Sequence, residues 1–154
     1  MRKIAIVLII SMTFIAGFLS GCTTSVNKSM PEQIDEVSAN KDGTDGVRVY
    51  FILTDKNGRE TAYNGFASIT IKSSTETPKL LYNNSLEVKA DDFQQTTRNT
   101  GGINRETLIY EFPRINYSSF LVHPGSDVTY ADVTVTFTTT PEGKILSGDT
   151  GFYL

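Results

Sequence analysis

The chain has 154 residues, with 14 Lys+Arg against 17 Asp+Glu for a net charge of −3. Setting aside Arg2 and Lys3, which fall in a leader described below, leaves 12 against 17, or −5; there is no basic run and so no electrostatic footprint for nucleic acid. One Cys (Cys22), one His (His123) and no Trp exclude an internal disulfide, a Cys/His zinc site and a two-histidine metal centre, and the length suits one domain.

The first element is a leader. Arg2 and Lys3 precede an apolar stretch of 16 residues, Ile4 to Leu19, broken only by Ser11, Thr13 and Gly17, and then comes Leu19-Ser20-Gly21-Cys22. That is the layout of an export signal, and the stretch is shorter than the roughly 20 residues a membrane-crossing helix needs. The tetrad resembles the cleavage motif of prokaryotic lipoprotein signal peptides, in which a Leu and two small residues precede a Cys. The resemblance implies removal of residues 1–21, a thioether-linked diacylglycerol on Cys22, and often an acyl chain such as palmitate on its new amino group. Two or more chains anchor stably where one would exchange. The implied location is the outer face of the cell membrane or, since Thr23 rather than Asp follows the Cys, the outer membrane of a two-membrane cell.

Residues 22–45 are rich in Ser, Thr, Asn, Asp, Gly and Lys, with Val26, Met30, Ile34, Val37 and Ala39 as scattered apolar positions. This composition predicts a flexible lipidated tether spanning roughly 25 to 30 Å, with at most one helical turn over Pro31 to Val37.

A β domain is predicted over 46–154. Val47, Val49, Phe51 and Leu53 alternate with polar or outward residues, and Asp55-Lys56-Asn57-Gly58 closes a hairpin. After a step at Gly65, Ala67, Ile69 and Ile71 resume the alternation. Leu80–Tyr82 and Leu86–Ala90 are expected to flank a turn at Asn83-Asn84-Ser85. The span 91–105 is expected to be a long loop with a helical turn near Asp91-Asp92-Phe93. Leu108, Tyr110 and Phe112 share a strand face, Ile115 to Val122 is irregular, and His123-Pro124-Gly125-Ser126 turns the chain. The clearest strand puts Val133, Val135, Phe137 and Thr139 on one face and Thr134, Thr136 and Thr138 on the other; Pro141-Glu142-Gly143 then leads to a final strand ending in Phe152, Tyr153 and Leu154.

Seven to eight short strands without a helical period predict an all-β, two-sheet antiparallel sandwich that resembles immunoglobulin-like and fibronectin-type domains in architecture, with a small closed barrel as the alternative.

Chemistry-bearing groups are sparse. His123 lies near Ser118, Ser119 and Ser126 in sequence, outside any GxSxG setting. Asp91-Asp92 with Glu87 or Glu106 is the one imaginable acid/base couple, and Asp42 to Gly46 with Asp55 to Gly58 offer oxygen ligands without EF-hand spacing. The three N-x-[ST] sequons, at Asn27, Asn83 and Asn116, are close to what chance supplies. No phosphate-binding motif occurs, and no cofactor is expected. The row Thr134, Thr136, Thr138, with Tyr50, Tyr63 and Tyr82 facing outward, is the candidate contact surface. The expected function is therefore a membrane-anchored, non-enzymatic binding or structural module of the cell envelope, held by diacylglycerol on Cys22 and meeting an envelope protein or glycan. Hydrolysis of an envelope polymer is the alternative.

Overall fold

The structure, a computed structural model, describes residues 26–124 and 128–154. Cys22 and the leader lie outside the described residues, as do Gly125 and Ser126 of the expected turn. Ten strands form two antiparallel sheets packed face to face, and the sheets do not close into a barrel.

One sheet is built on β2 (Gly46–Asp55), with β1 (Pro31–Lys41) along one edge; along the other lie β3 (Glu60–Thr61), β7 (Ile103–Glu111) and β8 (Ile115–Asn116), and β6 (Gln94–Thr100) lies outside β7. The second sheet runs β10 (Ile145–Tyr153), β9 (Tyr130–Thr139), β4 (Gly65–Ser73), β5 (Leu80–Val88). The orders β1-β2-β7-β6 and β10-β9-β4-β5 are those of immunoglobulin strands A-B-E-D and G-F-C with a C′ strand added.

Period-two patterning sets both inner faces. Val47, Val49, Phe51 and Leu53 of β2 are fully buried, as are Val133, Val135 and Phe137 of β9. Phe51 is the hub, its ring 5.4 to 5.9 Å from those of Phe93, Tyr110, Phe112 and Phe137. At such separations aromatic pairs add about 0.5 to 1.5 kcal/mol beyond the area they bury. The hairpin after β2 forms as read: Asp55 and Arg59 pair through the backbone, and Gly58 takes φ 70°. The step at Gly65 is the crossing between sheets, and glycine is required there because a Cβ would lie 2.3 Å from the Thr138 carbonyl oxygen.

Four readings are corrected. Residues 31–41 are neither tether nor helix; they form β1, paired with β2 from Pro31–Asp55 to Lys41–Val47, with Val37 buried. Asn83-Asn84-Ser85 is no turn, because β5 is an edge strand that pairs with β4 straight through it. Residues 94–105 are largely not loop: β6 pairs with β7 from Gln94–Ile109 to Thr100–Ile103, and Gly101-Gly102 (φ 62° and 85°) is the connecting turn, a conformation that favours two glycines. The short 3₁₀ turn Ala90–Asp92 falls where the helical turn was expected. The strands number ten rather than seven or eight.

The sandwich has two ends. One carries the β2–β3 turn, the Ala62–Gly65 crossing and the β9–β10 turn; the opposite end carries the loops 42–45 and 74–79 and the segment from Tyr117 to Pro124.

Candidate contact face

The outer face of the four-stranded sheet follows from strand parity, since inward Val133, Val135 and Phe137 force Thr134, Thr136 and Thr138 outward. Cross-strand register extends each Thr into a row. Thr136 stands between Ser147 and Ser68, with Ser85 beyond; Thr134 stands between Asp149 and Thr70, with Asn83 beyond; Thr138 stands between Ile145 and Phe66, with Glu87 beyond. Within the rows the Thr134 hydroxyl donates to Asp149 Oδ1 (2.6 Å) and the Ser68 hydroxyl to Ser85 Oγ (3.1 Å). Rows repeat about every 6.8 Å along a strand and about 4.8 Å between strands, so the centre of the face is a lattice of hydroxyl and amide groups bordered by the Asp149 carboxylate and, one row on, by exposed Asp132 and Lys72. Each hydroxyl donates once and accepts twice, and no single hydrogen bond within a row exhausts that capacity.

Apolar groups sit at the ends of this lattice. Phe66 is 50% exposed and Ile145 69% exposed across Thr138, and at the far end Tyr153, 73% exposed, meets Tyr130 edge-on at 5.0 Å. The parity of β9 was legible in the sequence, but Phe66, Ile145, Ser68 and Ser85 were not assigned to this face. Only the pairing of β9 with β4 and β10 brings them there.

The three tyrosines expected to join the surface do not. Tyr50 lies on the outer face of the other sheet beneath Arg98, whose guanidinium is 5.0 Å from its ring centre, and its hydroxyl donates to Glu36 Oε1. Tyr63 donates to Glu142 (2.9 Å), which pushes its pKa up, and Tyr82 packs partly into the core. Arg98 holds Glu36 by two contacts of 2.8 Å and keeps its carboxyl below the usual range. The β6–β7 hairpin thereby lies over the outer side of β2, where Ile52, Thr54 and Thr107 are buried, and the charges in the cleft between them largely satisfy one another.

Among the remaining candidates the aspartates have structural partners. Asp42 accepts from Arg48 Nε (3.0 Å) and Arg114 Nε (2.7 Å), which lowers its pKa, and Asp45 accepts from Arg114 Nη2 (2.6 Å). Asp91 pairs with Lys28, and Asp92 accepts from the Lys89 N–H. Glu87 is exposed on β5 and Glu106 on β7, while His123 is exposed beyond the 3₁₀ turn Tyr117–Ser119. Asp55 Oδ1 accepts from the N–H groups of Asn57 (2.8 Å) and Arg59 (3.1 Å), and Oδ2 from Asn27 Nδ2 (3.2 Å) and Ser29 Oγ (3.0 Å). The Arg59 N–H leads in lowering its pKa to about 2, against the opposing effect of burial. Among the described residues no three His, Cys, Asp or Glu converge to hold a metal, and no helix is long and apolar enough to cross a membrane.

Compared with protein families, with curated proteins and with solved structures, the chain matches none.

Proposed function

We propose that this protein is a lipid-anchored, extracytoplasmic binding module of the cell envelope, held by diacylglycerol on Cys22, and that its ligand is a hydroxyl-rich envelope polymer laid across the outer face of the four-stranded sheet. The observation that carries the ligand class is the arrangement of the face, with polar rows through Thr134 and Thr136 in the centre and Phe66, Ile145 and Tyr153 at its ends. Most protein interfaces have the reverse order, an apolar centre inside a polar rim. A glycan presents hydroxyls to pair with the rows and apolar ring faces to cover the ends. Ser and Thr side chains lose little rotamer freedom on binding, so such a face binds by many weak contacts at small entropic cost.

The test is co-sedimentation of the purified domain with isolated envelope polysaccharide, alongside a variant in which Thr134, Thr136 and Thr138 are all Lys. Binding by the parent and loss of at least tenfold in the variant is the expected result. Equal binding by a folded variant refutes the face. Release of soluble fragments from the polymer by the parent would replace this reading with the hydrolase, and cross-linking to a protein in intact cells, without polymer binding, would replace the glycan.

A further inference from the structure

The first described residues are built into the domain. Val26 packs against the core. The Asn27 side-chain amide donates to Asp55 and to the Glu60 carbonyl (3.1 Å), and the Asn27 backbone carbonyl accepts from the Ala62 N–H (2.9 Å) and the Thr61 hydroxyl (3.1 Å). The Thr61 hydroxyl also reaches the Ser29 carbonyl at 2.6 Å, and both Thr61 and Asp55 are buried. From there the chain runs into β1 at Pro31. Asn27 is therefore fixed at the β2–β3 end, and it is only five residues after Cys22.

Five residues reach at most about 18 Å when fully extended. Passing the headgroup layer takes about 5 to 8 Å of that, since the polar zones account for the difference between a bilayer of about 40 to 45 Å and its 30 Å hydrocarbon core. Roughly 10 Å remains, against a sandwich whose ten-residue strand β9 alone is about 33 Å long. A leash shorter than the body it holds cannot let that body turn end over end.

We infer, resting on the reading of Cys22 as the lipid-bearing residue, that the β2–β3 end of the sandwich is seated on the bilayer headgroups, with Met30 and the Lys56-Asn57 turn toward lipid. Met30, 45% exposed, lines a cleft at this end with Ser29, Glu32, Asp55, Lys56 and Asn57, so an apolar group stands where the headgroup boundary would be. The outer face of the four-stranded sheet then stands upright, and the loop 74–79 points away from the membrane.

The experiment uses the full lipidated chain, purified from cells and placed in vesicles of phosphatidylcholine and phosphatidylglycerol carrying an acceptor dye on a lipid headgroup. A donor dye is attached to one introduced thiol, either K56C (R59C as an alternate at the same end) or E76C in the loop at the opposite end. Cys22 does not take the dye when alkylated, and the mass of its peptide is measured first. Absence of lipid on Cys22 overturns the anchoring reading itself. With lipid present, energy transfer severalfold stronger from position 56 than from position 76 is expected, and equal transfer from both overturns the seat alone. Insertion of ten Gly/Ser residues after Thr24 should remove most of the contrast, and a contrast unchanged by that insertion shows that the short leash is not its cause.

Discussion

β9 and β1 are strands of nearly equal length, yet one announces itself and the other does not. β9 is central, flanked by β4 and β10, and four of its inward residues are fully buried. β1 is an edge strand, and only Pro31 and Val37 along it are buried. An inner strand is written by its own alternation of side chains, whereas an edge strand owes its conformation to the backbone of its neighbour. The same contrast separates β2 from β6, whose Gln94 to Thr100 contains no apolar residue.

The comparison breaks most decisively if β1 is dispensable. A chain starting at Gly46 leaves the edge of β2 unpaired and removes the Asn27 and Ser29 contacts to Asp55, and it should lose cooperative unfolding in urea. A transition at the parent midpoint would return 22–45 to the status of a tether. Next in size, Phe137→Ala should cost about 3 to 5 kcal/mol by urea denaturation, while Thr136→Ala on the opposite face of the same strand should stay within about 0.5. Reversal of that order would mean that β9 is in the wrong register.

Gly148→Ala sharpens the edge side of the contrast. The added Cβ would lie 2.8 Å from Val37 Cγ2 and 2.9 Å from Ile34 Cγ2, so overpacking should cost about 1 to 3 kcal/mol if β1 is held as firmly as a core strand. A neutral effect would show that β1 yields. The smallest effect concerns Asp55, which ties residues 27–29 to the hairpin. Its folded pKa, about 2, is depressed below the ordinary 3.8, so the stability it confers is complete above about pH 4 and is lost as pH falls toward 2. Asp55→Asn should flatten that part of the acid limb in a series of thermal melts, and an unchanged limb would remove Asp55 from the lock.

How much was legible follows the same line. The sandwich, its β2 and β9 patterns, the Asp55–Gly58 hairpin and the step at Gly65 were readable because burial and turn geometry are local demands on side chains. β1, β6 and the middle of β5 were not, since a strand with one open edge and little burial tolerates Asn, Gln, Ser and Glu without a pattern. Gly101-Gly102 did carry a hairpin signal, hidden by polar residues on both sides. On the contact face the Thr row was visible from parity, but its lateral partners Ser68, Ser147, Phe66 and Ile145 depend on which strands become neighbours, and that order follows from the packing of the whole sandwich. His123 and the paired carboxylates could be set in sequence but not in space; the fold brings Glu87 and Asp91 to the lining of one cleft, where Asp91 pairs with Lys28.

The entry of the chain at Asn27, ahead of an edge strand, has a mechanical side. With the chain anchored and bound as proposed, tension between the membrane and a partner gripping the four-stranded sheet would enter at the start of β1 and act nearly along its axis. Pulled lengthwise, the β1–β2 ladder is loaded in shear, so its hydrogen bonds share the force rather than parting one after another as in a peeled hairpin. Asn27, Asp55 and Thr61 take the first load at the attachment, and the side chains of Ile34 and Val37 lodged against Gly148 resist sliding. Under that anchoring an edge strand with little burial to hold it would stand where the direction of pull, more than its own stability, decides how much force the domain bears.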